Sequence, residues 1–154
     1  MKKILVAVDE TKTSQNTIKQ VAEVFGGRRA HDITLVYVEK MEGASIMDDL
    51  LLSESEIATL RDSLKGTEFQ EKLDEKANRV LNHYKDFLKE NNIEGVKLII
   101  KEGHPAEEIL AASKEIETDL IVMGSRSQRL HNLFLGSVSR EVAENAESSV
   151  LIIR

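Results

Sequence analysis

Ile4-Leu5-Val6-Ala7-Val8 is apolar on both parities and stops at Asp9. A strand with one wet face alternates polar and apolar residues. An unbroken, β-branched run reads instead as a strand covered on both sides. The residues that follow change period: Ile18, Val21, Ala22 and Phe25 recur at helical spacing over 13–25, with Thr13 or Ser14 placed as N-cap and Gly26-Gly27 as the stop. A second strand is expected at 33–38. Residues 39–53 read as a surface connection with room for a short helix, lying over a cleft as a lid or hanging at the surface. Over 54–91 the pattern is helical, with Leu73, Ala77, Val80, Leu81, Tyr84, Phe87 and Leu88 on one stripe, Gly66 as a break and Asn91-Asn92 as the end.

Further strands are expected at 96–100, 120–123 and 150–153. Between them, Gly103-His104-Pro105 turns into a helix whose first turn carries Glu107 and Glu108, and Gly136-Ser137 opens a last short helix. Each crossover holds a helix, so the strands should be parallel and the crossovers right-handed. The expected fold is α/β, a doubly wound sheet of five parallel strands with helices on both faces.

The chain has 154 residues, the size of a single domain over 1–154. Its 27 acidic and 21 basic residues leave a net charge of −6, which argues against nucleic acid or an anionic membrane as partner. The absence of cysteine excludes a disulfide scaffold, thiol catalysis and cysteine-held metals. No apolar run approaches the ~20 residues that span a bilayer. The five apolar residues after Met1-Lys2-Lys3 are too short for a leader, so the expected compartment is the cytoplasm.

In doubly wound sheets ligands bind beyond the carboxyl ends of the strands. Three features fall there: Asp9, Gly124-Ser125-Arg126-Ser127 and Gly136-Ser137-Val138-Ser139. A helix start offers unpaired N–H groups and partial positive charge; Gly136 lets an anion come close, and Ser137 and Ser139 add hydroxyls. Residues 120–140 hold Arg126, Arg129 and Arg140 and no carboxylate, the composition an anion site wants. A solvated basic loop is the alternative. Asp9 reads equally as a ribose or adenine acceptor and as a cap on the next segment. The four histidines, His31, His83, His104 and His131, fit no metal spacing. There is no Gly-x-Ser-x-Gly elbow, Walker lysine or GxGxxG, and no motif positions a general base, so little or no catalysis is expected.

The pieces Ile4-Leu-Val-Ala-Val-Asp9, Gly103-His-Pro-Ala-Glu-Glu-Ile109, Asp119-Leu-Ile-Val-Met-Gly-Ser125, Leu135-Gly-Ser-Val-Ser139 and Val150-Leu-Ile-Ile-Arg154 resemble, in order, those of the universal stress protein family. The resemblance implies a Rossmann-like sheet of order 3-2-1-4-5 and a stress-response role. It also implies a homodimer joined through the last strand at 150–153. Members that bind nucleotide carry Gly-x2-Gly-x9-Gly-(Ser/Thr) after the fourth strand. Here Gly124, Gly136 and Ser137 match, Ser127 replaces the second glycine, and the spacing is one residue short. By the resemblance, ATP or AMP would place adenine against Ala7, Val8, Asp9 and Val38. Met123 and Gly124 would form the floor, and Arg126, Ser127, Gly136, Ser137, Val138 and Ser139 would surround the phosphates, with Mg²⁺ carried on them. The alternative is a member that has lost nucleotide binding and works through dimer or heterodimer contacts.

Overall fold

The computed structural model describes residues 2–27, 31–40, 68–125 and 135–154, together with 53, 55, 56, 59, 62 and 63. Strand β1 (Lys3–Val8) occupies the centre of a parallel sheet, hydrogen-bonded to β2 (Asp32–Glu39) on one side and β4 (Leu120–Gly124) on the other. β3 (Lys97–Glu102) and β5 (Ser149–Ile153) form the two edges, giving the order β3-β2-β1-β4-β5. This is the expected 3-2-1-4-5 topology. Four helices are described: α1 (Lys12–Phe25), α2 (Glu68–Glu90), α3 (Pro105–Glu115) and α4 (Ser137–Asn145).

The unbroken apolar run of β1 has a direct cause. Ile4, Val6 and Val8 face a core built with Ile18 and Val21 of α1 and Ala77, Leu81, Tyr84 and Leu88 of α2. Leu5 faces a second core with Ala106, Ile109 and Ala112 of α3 and Val142 of α4. Both parities from Ile4 to Val8 are therefore covered, and no position in that run gains from a polar side chain.

Element ends differ from the sequence expectation where long-range or side-chain bonds decide them. α1 begins at Lys12 with Thr11 as N-cap, its Oγ1 accepting from the Ser14 N–H at 3.4 Å, so Thr13 and Ser14 lie inside the helix. The chain turns early because the Asp9 carboxylate gathers the Thr11 amide at 2.9 Å and the Ser14 hydroxyl at 2.8 Å. Gly26 ends α1 by bonding Ala22 O at 2.8 Å, and a Cβ there would run into that same carbonyl. α2 closes through Asn92 at φ 63°, whose left-handed turn lets the Ile93 amide reach Leu88 O at 2.9 Å while Ile93 is buried. β3 starts at Lys97 instead of 96, and β2 gains a residue at each end. The break expected at Gly66 lies outside the described residues, as do residues 41–52 of the 39–53 connection, read either as a lid or as a surface segment. Among the described residues no helix is long and apolar enough to cross a membrane.

Candidate functional site

The β1–α1 connection leaves the sheet on one face, while α3 and α4 cover the other. The chain thus parts around the carboxyl ends of β1, β2 and β4, and a cleft of about 430 Å³ opens there. That volume falls in the ~300–1,000 Å³ range of small-molecule sites. Ten of the twelve residues singled out from the sequence line it: Ala7, Val8, Asp9, Val38, Met123, Gly124, Gly136, Ser137, Val138 and Ser139. Arg126 and Ser127 lie outside the described residues, as do Arg129 and His131.

The α4 start closes one end of this cleft. Gly136 is its N-cap at φ −60°, ψ 158°, and makes no side-chain cap bond. That backbone suits any residue, so conformational strain gives no reason for glycine. The missing side chain instead leaves access to first-turn N–H groups that no cap side chain occupies. Ser137 is exposed. Ser139 is 2% exposed, and its hydroxyl bonds Gly136 O at 3.3 Å, pinning the turn.

Asp9 takes the capping role. Its Oδ1 accepts from the Thr11 amide, the Thr11 hydroxyl and the Ser14 hydroxyl, and its own carbonyl accepts from Tyr84 Oη at 2.9 Å. Burial, then the neighbouring carboxylates, pushes Tyr84 up to about 12, so this hydroxyl stays a donor. Gly124 also has a packing reason. A Cβ at this position would overlap Thr13 Cγ2 and lie 2.9 Å from Thr17 Oγ1, so α1 sits against β4 only because the side chain is absent.

Several cleft residues escaped the sequence reading. Tyr37 of β2 donates to Glu10 Oε2 at 2.9 Å, and Lys76 of α2 holds Glu10 Oε1 at 3.1 Å. Burial opposes charge on Glu10, but its backbone amide, Lys76 and Tyr37 outweigh it and hold the carboxyl below its usual range. Burial, then the bond to Glu10, keeps the Tyr37 proton on well above the ordinary tyrosine range. Glu39, the last residue of β2, is 2% exposed, and burial followed by the Asp74 carboxyl pushes it up to about 7. Glu39 carried one signal: a carboxylate closing an otherwise apolar buried strand. The Tyr37–Glu10–Lys76 cluster carried none, because it depends on how α2 docks.

Among the described residues, His104, Glu107 and Glu141 bring one ligand atom each within 4.8 Å of one another. None of the three lines the cleft, and two are exposed, where water competes for any ion. The His104–Glu107 spacing is one a helix start provides, and the third donor comes from α4.

The universal stress protein family model matches residues 1–154. Universal stress protein MJ0577 of Methanocaldococcus jannaschii is 30% identical over 158 residues, covering 99% of this chain and 94% of the relative. The solved structure of MJ0577 superposes with a TM-score of 0.73 at 28% identity, over 99% of this chain and 94% of that one. A universal stress protein in complex with cAMP shares the fold at TM-score 0.66 and 16% identity, over 99% of this chain and 96% of that one. The Archaeoglobus fulgidus universal stress protein in complex with dAMP does so at 0.60 and 18%, over 100% and 98%.

Proposed function

The chain belongs to the universal stress protein family, and from there we propose that its cleft binds an adenine nucleotide, ATP or AMP, as a sensor or adaptor in the stress response. One observation carries the reading. The uncapped, glycine-headed start of α4 opens into the same cleft as the ends of β1 and β2. An anion site there, across from an apolar slot, would supply the two halves a nucleotide needs, and this supports the reading. In this reading Ala7, Val8 and Val38 hold the base, Asp9 meets the ribose, and Met123 and Gly124 form the floor. Gly136, Ser137, Val138 and Ser139, with Arg126 and Ser127, surround the phosphates. Two proteins of the same fold are complexes with cAMP and with dAMP, and this supports the adenine assignment.

The reading assigns binding and not catalysis. Asp9 holds Thr11 and Ser14, and Glu10 holds Tyr37 and Lys76, so neither carboxylate is posed to activate water. For the same reason Mg²⁺ would ride on the phosphates and water instead of on these side chains. Calorimetric titration of ATP and AMP, with thermal-shift curves alongside, tests the reading. Saturable heat and a raised Tm are expected; no heat and no shift at millimolar ATP would refute it.

A second reading rests on β5. It is an edge strand, and Leu151 is 37% exposed on it. An apolar edge invites a partner strand. The alternative is therefore a protein that works through homodimer or heterodimer contacts at 150–153 without nucleotide. Sedimentation of the wild type and of Leu151→Lys decides this: a dimer that dissociates in the variant supports the contact, and a monomeric wild type removes it. The cytoplasm remains the compartment this reading assigns.

A further inference from the structure

Glu39, buried, and Asp74, half-buried, form a carboxyl pair where the end of β2 meets the start of α2. The Gln70 amide nitrogen donates to Glu39 Oε2 at 3.1 Å and to Asp74 Oδ1 at 3.2 Å, so a single NH₂ group bridges both acids. Glu39 is 2% exposed, and its Oε1 is buried with no donor. Two adjacent carboxylates sharing one amide cannot both stay ionised at low cost out of water. A proton on Glu39 resolves the conflict by removing one of the two charges and giving the pair a donor.

The surroundings favour that proton. Glu102 of β3 is in register beside Glu39, and Glu10 and Tyr37 stand on the same side of the cleft. Of the nearby cations, Lys76 is engaged by Glu10, and Lys40 is exposed at the rim. Glu39, Leu73 and Lys76 all line the cleft, so the junction that Glu39 makes with α2 is also part of the cleft wall.

We propose that the Glu39–Asp74 pair is a proton-dependent latch that holds the first turns of α2 against β2, and with them one wall of the cleft. Its consequence for nucleotide affinity rests on the function proposed above; the latch itself does not. The sign follows from linkage. Glu39 titrates near 7 when docked, against an ordinary value of 4.5 once α2 lifts. The latch is therefore complete below about 4.5, weakens as pH rises toward about 7, and is fully lost above it.

Native-state hydrogen exchange over residues 70–77 between pH 5 and 8, with α3 as internal reference, tests this. In the wild type the opening equilibrium of the first α2 turns should rise by up to ~tenfold per pH unit from 5 to 7 and then level off, while α3 stays flat. In Glu39→Gln the side-chain NH₂ donates to Asp74 permanently and the carbonyl accepts from Gln70, so the slope should vanish. Asp74→Asn should also flatten it, from the other side of the pair. A flat wild type overturns the latch. So does an equal slope in Glu39→Gln, which would assign the effect to some group that variant retains. The ratio of wild-type to Glu39→Gln ATP dissociation constants should rise over the same window. If ATP binds and the exchange slope is absent, only the latch falls. If the slope is present and no nucleotide binds, only the proposed function falls.

Discussion

Gly124→Ala is expected to destabilise the fold through α1, whether or not a nucleotide ever enters the cleft. The added Cβ would overlap Thr13 Cγ2, lie 2.9 Å from Thr17 Oγ1 and 3.4 Å from Thr13 O. The three atoms cannot yield independently. Thr17 is fully buried, and its hydroxyl is tied to Thr13 O at 2.9 Å. Overpacking of this kind costs ~1–3 kcal/mol. Alanine recovers ~0.4–1 kcal/mol by restricting the unfolded chain. The net loss should be about 1–2 kcal/mol, a fall of roughly 2–8 °C in Tm for a domain of this size. Urea unfolding of the wild type, Gly124→Ala, Thr13→Ala and the double variant measures it. Thr13→Ala removes the methyl that the new Cβ meets, so the double variant should recover at least half of the loss. Wild-type stability in Gly124→Ala would refute the packing argument and return this glycine to a purely ligand-facing role. A loss that Thr13→Ala leaves untouched would refute the assigned contact.

Gly136→Val should abolish ATP binding in calorimetry while leaving the unfolding midpoint near wild type, because its extended backbone accepts any residue and only access to the α4 amides is lost. Tyr37→Phe removes the 2.9 Å bond to Glu10 and should cost about 1 kcal/mol at pH 7 in urea unfolding. Glu10 titrates below its ordinary value of 4.5, so its contribution is present above that pH and lost as pH falls through the depressed value. The deficit of Tyr37→Phe relative to wild type should therefore shrink as pH falls through that depressed value. An undiminished deficit there would show that packing, and not the Glu10 bond, was lost.

Much of the architecture was legible because β1 is buried on both parities, and Ile4 through Val8 record both cores at once. The helix stripe of α2 was equally plain, since Ala77, Leu81, Tyr84 and Leu88 all meet one face of the sheet. The α1 cap was missed by a few residues because a carboxylate two positions before Thr11 reorganises the turn, which propensity at Thr13 or Ser14 does not encode. In the cleft, Gly136, Ser137 and Ser139 announce a helix start, a local feature. Tyr37, Glu10 and Lys76 meet across three elements, so their association depends on tertiary docking that no local pattern carries. Gly124 was legible as a glycine at the cleft, but its packing cause was not: the neighbour that excludes a side chain is Thr13 of α1.

The cleft draws its walls from residues 7–9 near one terminus and 136–139 near the other. No fragment that stops short of residue 136 possesses both halves. Occupancy would thus report that two segments far apart in the chain have docked. A ligand there would act as a clasp across the sequence, adding its binding energy to cooperative unfolding of the whole sheet instead of to any one loop.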